Sequence, residues 1–172
     1  MKLIKTAFAL TLLAASTAAQ IKNPVANALK DTFPNRQKNT IAAVEAMPAD
    51  KFTYKPSADQ ITFAHLVVHM IGANYMLCGN AAGVPAPNVE EPKEADGKDK
   101  LVAALKASFK FCEDAIAKID DSKLGEVSTG PDGTDYSRAR FALGIASNWA
   151  DHYAQVSMYL RLNGINPPTS HK

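Results

Sequence analysis

Asn148-Trp149-Ala150-Asp151-His152-Tyr153-Ala154-Gln155, running on through Tyr159-Leu160-Arg161-Leu162-Asn163-Gly164-Ile165-Asn166-Pro167-Pro168, decides the fold. Ile145, Trp149, His152, Val156 and Tyr159 recur three and four residues apart, so they share one face of a helix. Gly164 suits the left-handed position just past a helix end, and Pro167-Pro168 forbids continuation. The spacing predicts a helix from Ser137 to Asn163 with a histidine on its apolar side. An imidazole buried there must hydrogen-bond a partner or bind an ion.

Three more helices follow working outward. The first is predicted from Pro24 to Ala46, with Val25, Leu29, Ile41 and Val44 in phase and Pro34 as a break or kink. The second is predicted from Ile61 to Ala82, capped by Ser57 or Asp59 and striped by Phe63, Leu66, Val67, Met70, Ile71 and Leu77. Gly83-Val84-Pro85-Ala86-Pro87 stops it. The third is predicted from Lys98 to Ile119, with Leu101, Leu105, Phe109, Cys112 and Ala115 inward. Residues 50–59 form an extended connector. Residues 84–98 form a polar crossover long enough for helices two and three to run parallel. The loop 120–136 carries a turn signal at Gly130-Pro131-Asp132-Gly133, and no segment alternates as a strand would. The fold class is therefore all-α, a four-helix bundle with a long crossover between helices two and three.

Residues 1–19 read as a secretory signal. Lys2 and Lys5 charge its start, Ala7 to Ala15 is apolar but too short to span a bilayer, and cleavage falls near Ala18 or Ala19. No lipidated cysteine follows it. The remainder, 20–172, is one domain that is secreted or periplasmic, with no membrane span. The chain holds 19 Lys plus Arg and 17 Asp plus Glu, but the signal carries two Lys and no acid. The processed chain is formally neutral with histidine uncharged. No basic stripe interleaves with aromatic residues, so nucleic acid is excluded as a partner.

Cys78 and Cys112 both survive processing. In an oxidising compartment an even pair reads as a disulfide stapling two helices, on the order of 3–4 kcal/mol in the chain-entropy picture. Two buried inert thiols, or one reactive cysteine, are the rival readings.

His65 and His69 lie four residues apart, so both can face one ion from helix two. His152 faces inward from helix four, and His171 is in the tail. A lone histidine on an apolar face is usually a satisfied core residue; three on two helices of one bundle favour a ligand set. The stretch His65-Leu66-Val67-Val68-His69 lacks the glutamate of a zinc-protease helix. Neither cysteine has a neighbouring histidine to activate it, Ser147 and Ser157 sit within a helix, and there is no glycine-rich phosphate loop.

Thr62-Phe63-Ala64-His65-Leu66-Val67-Val68-His69-Met70, continuing through Ala73-Asn74-Tyr75-Met76-Leu77-Cys78, resembles the second helix of DinB-like proteins. The run from His152 to Pro168 resembles that family's last helix and its Gly-x-x-Pro-Pro ending, and the connector with Met47-Pro48 and Tyr54-Lys55-Pro56 is similar too. The resemblance implies a metal centre built from one histidine of helix two and a His-x-x-x-His pair of helix four. Residue by residue, it assigns His69 and His152 as ligands and puts Asn148 at the remaining ligand position. A neutral amide oxygen is a poor ligand for zinc or nickel, the divalent ions that suit imidazole. The site is then two histidines plus water, or His65 supplies the third ligand, or the metal is lost. Family activity implies thiol-dependent transfer or isomerisation, in which a metal holds a thiolate.

Two functional expectations follow. One is a metal-dependent enzyme of transferase or hydrolase type acting on a small-molecule substrate. The other is a metal-free exported bundle that binds a small molecule or a protein partner, with Asn148, His152 and His69 closed into a polar network. Such bundles can also pair as homodimers, though no face is singled out.

Overall fold

Residues 20–170 are described by the computed structural model, so the signal at 1–19 and His171 lie outside the described residues. Four helices carry the fold: α1 (Pro24–Ala46), α2 (Phe63–Ala82), α3 (Gly97–Ile116) and α4 (Arg138–Leu162). The sequence-predicted fold class and the order of its helices stand.

Cross-links between helices set their directions. Cys78 is joined to Cys112 with a Cα–Cα distance of 5.2 Å, and Asn74 Nδ2 donates to Ser108 Oγ at 3.0 Å; both pairs are separated by 34 residues. A constant offset means α2 and α3 run parallel, which the crossover over residues 84–98 permits. Trp149 Nε1 donates to Asn74 Oδ1 at 2.8 Å, and Tyr159 Oη donates to the Ile61 carbonyl at 2.7 Å. Here one number rises as the other falls, so α4 is antiparallel to α2. Lys106 reaches Glu45 across the other side, while Asp121 meets the start of α1, so α1 is antiparallel to α3.

The ends of α1, α2 and α4 are closed by identifiable devices, one of them long-range. Asp121 accepts the backbone N–H groups of Val25 and Ala26 at 2.8 and 2.9 Å, so a carboxylate from beyond α3 caps α1. Thr62, not Ser57 or Asp59, caps α2 by accepting the His65 N–H at 2.9 Å. The connector's Phe52 and Tyr54 carbonyls take the N–H groups of Ala64 and Phe63, which holds the start of α2 two residues later than expected. Gly83 and Gly164 take the left-handed conformation after α2 and α4 at φ 66° and 73°. Pro34 does not break α1, which continues through it.

The strand-free expectation needs correction. Val127–Thr129 (β1) pairs antiparallel with Asp135–Ser137 (β2), Ser128 opposite Tyr136. Val-Ser-Thr and Asp-Tyr-Ser are too short to show an alternation, so only their turn was legible. Ser128 Oγ donates to Asn80 Oδ1 at 2.6 Å and ties this hairpin to α2.

Phe33, Phe109 and Trp149 meet at the centre, with ring centroids 5.4 to 6.3 Å apart. Both cysteines are fully buried there. Among the described residues no helix is long and apolar enough to cross a membrane.

Candidate functional site between helices two and four

His69 and His152 lie 83 residues apart in the chain, yet their ring centroids are 4.8 Å apart and their planes cross at 87°. The antiparallel packing of α2 on α4 brings them together midway along the seam. His69 is exposed at the rim; His152 is buried. One turn before it on α4, Asn148 donates through Nδ2 to His152 Nε2 at 3.0 Å. In that arrangement Nε2 is an acceptor and its lone pair is occupied. His152 Nδ1 then carries the proton, buried and without a hydrogen-bond partner among the described residues.

Burial pushes the His152 imidazole below the ordinary histidine value near 6.5, and charge on His69 pushes it the same way. Asp151 and Gln155 oppose the shift, but Gln155 makes no bond to Nδ1 of hydrogen-bond geometry. His152 is therefore neutral at physiological pH. Two imidazoles in edge-to-face contact cannot both be charged cheaply.

His65 is not brought to this pair. Its Nδ1 lies 2.7 Å from Glu94 Oε1, and Thr62 Oγ donates to the other oxygen at 2.6 Å. The Thr62 bond first, then the His65 bond, holds the Glu94 carboxyl below the usual carboxylate range. This exposed clasp fastens the crossover to the start of α2. Nothing in the local sequence marks Glu94 as its partner, because 29 positions, the rest of α2 and then an irregular crossover, separate them.

The donor set is thus two imidazoles and one amide. A catalytic zinc centre takes three protein ligands and leaves one position open. Among the described residues no group of three or more His, Cys, Asp or Glu could hold a metal ion. The residues present do not complete the centre that the resemblance implies. Asn148 works against it twice: it offers only a neutral amide, and it engages His152 Nε2, one of the two ring nitrogens that could coordinate.

Residues 33–156, more than half of the chain, match the model of the DinB superfamily. The chain belongs to the DinB superfamily. Two solved DinB-like proteins share the superfamily fold with it. One from Bacillus subtilis is 18% identical with a TM-score of 0.65, covering 80% of this chain and 93% of its own. One from Bacillus cereus is 11% identical with a TM-score of 0.67, covering 84% and 97%. No curated protein matches the chain. At these identities the likeness speaks for the DinB bundle alone, so chemistry rests on this chain's own residues.

A second polar group lies deeper in this DinB bundle. Asn74 on α2 accepts the Trp149 indole N–H and donates to Ser108, which in turn donates to the Leu105 carbonyl at 2.8 Å. Every partner is buried. Sequence reading placed Asn74 in helix two without a role; an Asn in an apolar helix beside the only Trp of the chain was the available signal.

Proposed function

We propose that this DinB-superfamily chain is an exported bundle that binds a small organic molecule at the His69–His152 seam without a resident metal. The observation that carries the reading is the Asn148–His152 hydrogen bond. It fills the coordinating nitrogen from the position where the family's second helix-four imidazole would stand. Exposed His69, with the neutral His152 ring packed edge-to-face behind it, then offers a hydrogen-bonding edge to a ligand. A buried disulfide is consistent with export, because such bonds persist in oxidising compartments. The signal reading of residues 1–19 favours a secreted or periplasmic location.

A second reading, the divalent-metal-dependent transferase or hydrolase, is favoured by one observation: two imidazoles from separate helices converge at 4.8 Å. In that reading His69 and His152 would hold zinc or nickel with solvent, and the ion would supply Lewis acidity. Titrating zinc into the metal-free chain by calorimetry separates the two. The proposal expects binding weaker than about 10 μM in the unsubstituted chain, and at least a hundredfold gain in Asn148→His, which restores a third imidazole. Tight one-to-one binding already present, and lost in His69→Ala, would establish the metal reading instead.

A further inference from the structure

Away from the histidines, the first two turns of α4, the end of α2 and the overhanging turn of the hairpin enclose a cleft of about 990 Å³. That volume lies at the upper end of the range for small-molecule sites. Its wall is largely apolar, formed by Met76 and Leu77 of α2 and Phe141, Leu143 and Gly144 of α4. Leu143 is 69% exposed and continues the apolar wall to the mouth of the cleft.

One cation stands at the mouth. Arg138 nearby is paired with Glu126 at 2.9 Å, but Arg140 has no carboxylate partner among the described residues. Its guanidinium instead lies 4.2 Å from the centroid of the Tyr136 ring. That ring is itself held. Tyr136 Oη donates to Asp132 Oδ2 at 2.8 Å, and the ring packs so closely on Gly130 that a Cβ there would meet it at 2.9 Å. Asp132 also lines the cleft, but its second oxygen accepts the Thr134 N–H at 3.1 Å, so both its oxygens are engaged. Tyr136 of the hairpin therefore positions Arg140, in the first turn of α4, over an apolar wall with no carboxylate partner among the described residues.

We propose that this cleft binds a free small anionic amphiphile, its acid group on Arg140 and its apolar body against Leu77, Phe141 and Leu143. A planar five-donor fork suits a carboxylate or sulfonate, and Asp132, the one carboxylate in the lining, is already taken up by Tyr136 and Thr134. The site does not depend on the histidine pair for its chemistry, although both lie on the α2–α4 seam.

Two fluorescent probes that differ by one sulfonate test it. The chain should bind 1-anilinonaphthalene-8-sulfonate saturably at one site, and its uncharged counterpart N-phenyl-1-naphthylamine more weakly. Arg140→Gln should raise the Kd of the sulfonate at least fivefold and that of the neutral probe less than twofold. Leu143→Asp should weaken both. Arg140 and Leu143 are exposed, so both variants should keep the parent melting temperature, which is measured alongside. Equal responses of the two probes to Arg140→Gln, no saturable site, or indifference of both probes to Leu143→Asp would overturn the proposal.

Discussion

His152 is the residue of the seam whose titration the fold alters, because it is buried beside His69. Its lowered protonation tendency has a consequence for stability with a definite sign. The unfolded chain holds this proton up to about pH 6.5, whereas the folded chain releases it at lower pH. Between those two values the unfolded state binds more protons, so acidification favours unfolding. The contribution is fully present above about pH 6.5 and is lost as pH falls toward the folded value. Thermal melts from pH 7.5 to 5 should show a declining midpoint that flattens in His152→Gln. The depressed carboxyls of Glu94, Asp96, Asp120 and Asp132 start from 4.5 or 3.8, so their losses lie in a lower window and do not confuse the reading. At this scale the sequence was legible where spacing places a residue on a face. Asn148 and His152 sit four apart on one helix, and their bond follows from that. His65 and Glu94 were illegible together, because a contact across an irregular crossover has no periodic signature.

The helices are legible because each repeats its apolar residues with a helical period, and no end is misplaced by more than three residues. The exceptions have physical causes. Helix α2 begins at Phe63 because connector carbonyls from Phe52 and Tyr54 receive its first free N–H groups, a tertiary effect. The hairpin strands escaped because their stability comes from Asn80 and the turn, not from an apolar face. Between elements, the Cys78–Cys112 bridge joins α2 to α3 at the level of the central aromatic cluster. Closing a loop of 34 residues should stabilise the fold by about 3–4 kcal/mol. Urea unfolding of the oxidised chain and of Cys78→Ala/Cys112→Ala should show that difference, and a difference under about 1 kcal/mol would mean the reduced chain keeps comparable order. Because both sulfurs are buried, reductant without denaturant should act slowly.

Taken whole, the molecule is one core in which Trp149 touches elements of every helix: Phe33 of α1, Asn74 of α2 and Phe109 of α3. A single domain so connected should unfold as one unit. Indole fluorescence and far-UV circular dichroism should report coincident transitions in denaturant; separated midpoints would show that the α2–α3 pair survives without α4. The fold was legible at this scale from four amphipathic segments and one long crossover. The function was not, because whether two histidines and an asparagine make a metal centre depends on which nitrogen meets which amide. The most direct measurement is the metal content of the untagged chain, with a thermal melt before and after chelation. The account predicts well under one zinc or nickel per chain and an unmoved melting temperature. Close to one ion per chain, with a melting temperature that drops on chelation, would contradict it.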